Sequence, residues 1–245
     1  MFLNPGKFGI SSQEQAVKLS FVMVGIWWMV FSLPILLLVK EEKGYDALPL
    51  KEAIRKGMSM TVYTVKSFRQ LKMLFTFLVA YWLYIDGVDT IIVMAVNYGT
   101  SLGFPSESLI VALLITQFVA FPSALLYALF SKKVGVRRAL QVAIAAYTLI
   151  AMLGFFMNKP IHFYLLAVAI GLFQGGIQAL SRSYYTRFIP EGRSAEFFGF
   201  FNMLGKFASI LGPLLMGLVS LATGSTRLGI VSLIILFAGG FFMLR

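Results

Sequence analysis

Seven apolar runs, each about as long as a membrane-spanning helix, constrain this chain more than any other feature. A membrane's hydrocarbon layer is about 30 Å thick, and a helix needs about 20 residues to cross it. A helix also pairs its own backbone polar groups, which find no water in the layer. Hydrophobic residues make up 59% of the 245 residues, well above globular usage. The sequence therefore predicts an all-α membrane protein with spans near 17–39, 71–97, 106–130, 139–157, 161–180, 197–220 and 228–244.

Basic residues are concentrated in every second connection between these runs. The connection at 40–72 carries eight Lys and Arg residues, and SKKVGVRR at 131–138 carries four. Sixteen basic residues fall on this side of the predicted bundle and four on the other. The positive-inside rule then predicts cytoplasmic basic loops and an outside N-terminus. This pattern accounts for the net charge of +11, so the expected partner is the lipid bilayer and not nucleic acid.

The runs also define a coarse domain organisation. Residues 1–16 are expected to form an outside tail, 17–39 the first span, 40–70 a basic cytoplasmic linker, and 71–245 a six-helix unit. Apolar residues in the linker region recur mostly at three- and four-residue spacing. This spacing is compatible with an amphipathic helix on the membrane surface or with a solvated linker of helical tendency.

Three charged residues lie at depths where charge is costly. Asp86 and Asp89, in LYIDGVDTI at 83–91, share one helical face, and Gly87 between them permits local unwinding. Lys206 lies near the middle of the sixth run. Each charge would cost about 2.5 to 3.5 kcal/mol at a helix centre facing lipid. We therefore expect all three to face the bundle interior, with Lys206 paired to one of the two aspartates.

Two carboxylates that share one lysine retain a surplus negative charge, which favours proton uptake by one of them. One hypothesis is that Asp86 or Asp89 carries a proton while a cavity opens alternately to the two sides. The alternative is a structural ion pair, with Asp89 at a hydrated helix end near the outer surface.

Polar side chains in other runs extend the candidate pathway. Gln174 and Gln178 lie four residues apart in the fifth run, beside Gly171 and Gly175. Glycines at this spacing let helices approach closely, so the amides are expected either to bond across a helix pair or to reach a polar solute. The candidate residues for a solute or proton pathway are Asp86, Asp89, Lys206, Gln174, Gln178, Asn97 and Tyr84.

A short motif follows the third run. The segment ALLYALFSKKVGVRRAL at 124–140 has a tight turn around Gly135 with basic residues on both sides. It resembles the loop signature of the major facilitator superfamily, although Ser131 or Lys132 stands where that signature has an aspartate. The alternative is an ordinary positive-inside turn. The candidate motif residues are Lys132, Lys133, Gly135, Arg137 and Arg138.

A longer resemblance covers most of residues 17–245. The segment GGIQALSRSYYTRFIPEGRSAEFFGFFNMLGKFASILGP at 175–213, with LYIDGVDTI, resembles the branch of that superfamily related to vacuolar amino-acid effluxers of fungal autophagy. The resemblance implies twelve helices in two six-helix halves around a central cavity. The chain would be the sixth helix plus the second half, with five N-terminal helices missing, in a bacterial-type plasma membrane.

The connection between the fifth and sixth runs is rich in charge. One interpretation is that its ion pairs latch a cytoplasmic gate in one state. The other is that they only set topology, since exposed pairs are weak. The gate candidates are Arg182, Arg187, Glu191, Arg193 and Glu196.

The expected function is secondary active transport of a small polar solute by alternating access, with proton coupling through the aspartates. The resemblance implies amino acids as the solute. We expect no enzyme activity, cofactor or metal site, because the sequence lacks cysteine, a GK[ST] phosphate loop, a metal-ligand cluster and a Ser, His and Asp set at matching depth. One alternative is a seven-helix retinal-binding receptor or pump with a Schiff base on Lys206. Another is an inactive membrane scaffold.

Overall fold

The described part of the chain is helical. The computed structural model describes residues 9, 12–39, 49, 51–52, 54–55, 57–59, 72–190 and 192–244. These ranges contain no strand, and seven helical segments in them are long and apolar enough to cross a membrane, which confirms the predicted fold class. The helices are α1 (Gln13–Leu38), α2 (Lys72–Ser101), α3 (Ser106–Val134), α4 (Val136–Phe155), α5 (Pro160–Tyr185), α6 (Ser194–Phe207), α7 (Leu211–Thr223), α8 (Thr226–Ser232) and α9 (Ile234–Met243).

Two compact units, residues 1–55 and 56–245, make up the chain and are described separately. In the first unit, the Ser12 hydroxyl accepts a hydrogen bond from the Gln15 amide at 3.2 Å and so caps the start of α1. The possible amphipathic segment at 48–72 falls largely outside the described residues. It stays a prediction, as do the domain boundaries.

In the second unit, α3 and α5 form the most extensive helix pair. A Cβ added at Gly171 would lie 2.8 Å from the Thr116 carbonyl oxygen, and one at Gly175 would lie 2.8 Å from the Ala124 Cβ. These glycines therefore let the two backbones approach closely, as the sequence predicts. The Thr116 hydroxyl adds a hydrogen bond across the pair, to the Ala167 carbonyl at 3.2 Å.

The second span, α2, packs against α9 through another glycine. A Cβ added at Gly87 would lie 2.7 Å from the Phe237 ring, and Phe237 is fully buried. The local unwinding that Gly87 permits does not occur in this structure, because α2 is helical from Lys72 to Ser101. Gly87 is needed for the close packing of Phe237 against α2, and the helix stays intact there. In this regular helix, Asp86 and Asp89 lie on adjacent turns.

The sixth span is broken into two helices instead. α6 ends at Phe207 and α7 begins at Leu211, so residues 208–210 join the two without belonging to either helix. Pro213 lies at the third position of α7, where its missing N–H removes one backbone hydrogen bond to the preceding turn. The seventh span likewise consists of two shorter helices, α8 and α9.

Candidate functional site

Asp86 caps the helix that begins after the break in the sixth span. Its side chain is buried, at 0% exposure. Oδ2 accepts a hydrogen bond from the Leu211 amide at 2.9 Å, and Oδ1 accepts one from the Gly212 amide at 2.8 Å. The carboxylate thus satisfies two amides that have no partner within α7, and its charge lies at the positive end of that helix. The burial cost of Asp86 is offset by backbone amides.

Lys206 does not take part in this arrangement. Among the described residues, no ion pair joins Lys206 to Asp86 or Asp89, and Lys206 is exposed on the surface of this chain. The expected pairing is therefore wrong. The physical reason is that successive helical residues point in different directions, so Gly205 faces the interior while Lys206 turns away from it.

Asp89 lines an open cleft of about 310 Å³ between α2, α5 and α6. This volume lies at the lower end of the range for small-molecule sites. The cleft also contains Gln178, a second predicted pathway residue, and Arg182, which was predicted as a gate residue. The structure thus brings an acid, an amide and a base together. The remaining lining residues are Tyr81, Ile85, Ala179, Phe201 and Gly205.

Arg182 lies in the last turn of α5, although the sequence analysis placed it in a loop. Its guanidinium donates to the Asn202 Oδ1 at 3.1 Å and lies 6.0 Å from the centre of the Phe198 ring. Both partners belong to α6, so Arg182 is held beside the cleft by polar and cation–π contacts. Its remaining N–H donors allow it to bind a further acceptor.

Tyr84 and Gln174 do not line this cleft. Tyr84 is fully buried, and its hydroxyl lies 2.5 Å from the Ser181 hydroxyl, a hydrogen bond between α2 and α5. The Gln174 Oε1 is buried without a hydrogen-bond partner among the described residues. Asn97 is exposed on α2, with its amide 3.9 Å from the Met94 sulfur. The structure therefore groups Asp89 with Gln178 but separates them from these three predicted pathway residues.

The loop motif forms the turn between α3 and α4. Gly135 has a φ of +88°, a conformation that residues with a Cβ rarely adopt. Lys132, Lys133 and Arg138 are exposed, and Arg137 donates from Nε to the Leu244 carbonyl at 2.6 Å. The Ser131 hydroxyl, at a position where the signature has an aspartate, bonds the Ala128 carbonyl within its own helix.

Of the remaining gate candidates, Arg193 and Glu196 form an ion pair at 2.9 Å. The two residues are three apart at the start of α6, so this pair is local and joins no two spans. Arg187 is exposed and lies 5.8 Å from the centre of the Tyr184 ring. Glu191 lies outside the described residues.

Sequence reasoning missed Phe201 and the amides that bind Asp86. Phe201 stacks on Tyr81 with ring centres 4.3 Å apart, but it gave no signal of its own because aromatic residues are common in this chain. The Gly212 and Pro213 pair did carry a signal, because proline is favoured near the first turn of a helix and disfavoured inside one. It could have indicated a new helix start within the sixth run.

Comparison with known proteins identifies a family of membrane transporters. All residues, 1–245, match the family described as "Vacuole effluxer Atg22 like". An uncharacterized MFS-type transporter of Bacillus subtilis is 39% identical over 95% of this chain and 54% of its own length. Autophagy-related protein 22 of Yarrowia lipolytica is 30% identical over 92% of this chain and 43% of its own length.

The same protein of Saccharomyces cerevisiae is 28% identical over 93% of this chain. The chain spans about half the length of these curated relatives, which are 43 to 54% covered. The match over every residue shows that this multi-pass membrane chain belongs to the Atg22-like vacuole effluxer family of major facilitator type.

Proposed function

We propose that the chain is part of a secondary transporter, and that the cleft between α2, α5 and α6 lies on the path of a small zwitterionic solute. The observation that carries this proposal is the placement of Asp89, Gln178 and Arg182 in one open cleft. Family membership supports transport, because the Bacillus subtilis relative is described as an MFS-type transporter.

The charges of the cleft match those of an amino acid. Asp89 is suited to bind the ammonium group of the solute, and the Arg182 guanidinium is suited to bind its carboxylate through paired N–H donors. Gln178 adds a donor and an acceptor, while the stacked Tyr81 and Phe201 rings offer an apolar surface to a side chain. These groups favour a zwitterion over a sugar or a simple anion.

Proton coupling, if the transporter uses it, is assigned to Asp89. Asp86 is occupied by two backbone amides, whereas Asp89 is partly exposed in the open cleft and is therefore accessible to a proton or a solute. A proton on Asp89 would compete with the solute ammonium for the carboxylate. Such competition links proton movement to solute movement.

The orientation of the chain in the membrane and the helices that complete its cavity follow from the basic loops and from the length of the relatives. The basic loops lie in the cytoplasm of a bacterial-type plasma membrane, as the positive-inside rule predicts. Since the relatives are about twice as long as this chain, helices outside it complete the cavity and allow alternating access. The retinal alternative gains no support, because neither aspartate is paired with Lys206 as a counter-ion would be with its Schiff base.

Transport by the full-length protein in liposomes tests the proposal. We expect counterflow of radiolabelled neutral amino acids, and a rise in KM of about 10- to 100-fold in Asp89→Asn and Arg182→Gln, because each removes a charge-assisted bond. Arg187→Gln and Glu107→Gln are matched controls, since these exposed residues lie outside the cleft.

Two results would contradict the proposal. Parent-like KM values in both cleft variants would exclude the cleft as the binding site. Transport of an uncharged solute with no competition from amino acids would exclude the zwitterion while leaving transport itself intact.

A further inference from the structure

The start of α7 is held to α2 by two hydrogen bonds, which two backbone amides of α7 donate to Asp86. The first four N–H groups of a helix have no partner inside it. At the start of α7, the Leu211 and Gly212 amides bind Asp86, and Pro213 has no N–H. The Leu214 amide then makes the first bond within the helix, to the Ile210 carbonyl at 3.2 Å. The cap of α7 therefore comes from a different span.

Close backbone approach makes this cap possible. A Cβ added at Gly212 would lie 2.8 Å from the Asp86 Oδ1 and would overlap the Thr90 hydroxyl. Thr90 itself donates to the Asp86 carbonyl at 2.6 Å, so the space beside Gly212 is already filled. Hydrogen bonds to a carboxylate are stronger than those between neutral groups and depend on direction. The contact therefore fixes both the position and the orientation of α7 on α2.

The contacts of α6 with α2 are of another kind. Hydrogen bonds hold α6 to α5, where the Tyr185 hydroxyl donates to the Phe197 carbonyl at 2.8 Å and Arg182 donates to the Asn202 Oδ1 at 3.1 Å. Towards α2, the contacts are between aromatic rings. Phe201 stacks on Tyr81 and on Tyr185, with ring centres 4.3 and 4.7 Å apart. Two stacked rings can slide past each other more easily than two hydrogen bonds to a carboxylate can shift. The reason is that the attraction between the rings varies slowly with the offset of their centres. α6 also provides Phe201 and Gly205 to the cleft, whereas no lining residue of the cleft comes from α7. The half of the sixth span at the cleft thus has the more adaptable contacts with α2, while its hydrogen bonds join it to α5.

We propose that Asp86 is a positioning residue that holds α7 on α2, so that residues 208–210 act as a hinge on which α6 moves at the cleft. This inference rests on the proposed transport function, which needs a wall of the cleft to move. It assigns different roles to the two aspartates: Asp89 faces the solute, and Asp86 fixes the part of the sixth span that does not move.

The cap is tested by amide hydrogen exchange on the full-length protein in nanodiscs. In Asp86→Asn the new amide group accepts from only one of the two backbone donors, so exchange at Leu211 and Gly212 is expected to accelerate about 10- to 100-fold. Gly212→Ala is a second variant, which moves α7 off the cap without changing a charge. Asp89→Asn is the matched control and is expected to leave exchange at these amides unchanged.

The hinge is tested by distances between spin-label pairs on the same protein. One pair, Val93→Cys with Leu218→Cys, joins α2 to α7, and the other, Phe75→Cys with Met203→Cys, joins α2 to α6; all four positions are exposed. We expect one narrow α2–α7 distance with or without a mixture of the standard L-amino acids, and a broad or divided α2–α6 distribution. Asp86→Asn is expected to broaden the α2–α7 distance.

Two outcomes overturn the inference. Unchanged exchange and an unchanged α2–α7 distance in both Asp86→Asn and Gly212→Ala would show that the cap does not position α7. An α2–α6 distance as narrow and constant as the α2–α7 distance would show that 208–210 is no hinge. Both readouts work without turnover, so failure of amino-acid transport would count against the proposed function and leave the hinge measurable.

Discussion

Gly171→Ala should destabilise the bundle by separating α3 from α5. The added Cβ would lie 2.8 Å from the Thr116 carbonyl oxygen and 2.9 Å from the Val119 Cβ. Ordinary contacts are about 3.5 to 4.0 Å, so the helices would have to move apart by roughly 0.6 to 1 Å. One obstructing atom belongs to the backbone and cannot rotate away. Separation would also lengthen the hydrogen bond from Thr116 to the Ala167 carbonyl, now 3.2 Å.

The expected cost is that of overpacking, about 1 to 3 kcal/mol. For a chain of this size, that cost corresponds to a fall in Tm of about 2 to 12 °C. The assay is thermal unfolding of the purified protein in detergent, followed by loss of the monodisperse peak in size-exclusion chromatography.

Gly217→Ala is the matched control, because it also adds one methyl group to a glycine within a helix. Apart from the neighbouring backbone of its own helix, no atom of the described residues lies within 4 Å of the position that a Cβ would take at Gly217. Its Tm is expected to stay the same or to rise slightly, since alanine is favoured over glycine in a helix by about 0.5 to 1 kcal/mol. Equal Tm values for Gly171→Ala and Gly217→Ala would refute the argument that the α3–α5 contact needs glycine.

Three further changes have expected outcomes of different size. Gly135→Ala should lower the free energy of unfolding by about 1 to 3 kcal/mol, measured by the same thermal assay, because the φ of +88° is strained for alanine. Tyr84→Phe should cost only about 1 kcal/mol, since Ser181 keeps its bond to the Ile177 carbonyl at 2.6 Å; a loss above 3 kcal/mol would contradict this. Glu196→Gln should change stability by less than about 1 kcal/mol, because its ion pair is partly solvated, and a large loss of Tm would show that the pair matters beyond the start of α6.

Asp86 and Asp89 show two different environments in which a membrane protein can hold a carboxylate. Both lie on α2 three residues apart, yet one is buried against backbone amides and the other is partly exposed in an open cleft. A carboxylate that is fully bonded has little freedom to exchange partners, whereas one facing a cleft can meet water, protons or solute. We therefore expect substitutions at Asp89 to alter KM, and substitutions at Asp86 to alter the geometry of the sixth span.

The apolar runs alone determined that this chain is helical and has seven candidate membrane spans, because a helix pairs its own backbone polar groups in hydrocarbon. They also required Asp86 to be buried, since a charge facing lipid is too costly. The partner of Asp86 was decided only by the tertiary structure. Lys206 and the Leu211 amide both lie in the sixth run, and the choice between them depends on where the helix breaks and how closely Gly212 lets it approach α2. Such proximity between distant segments is a property of packing, which periodicity along the chain does not encode.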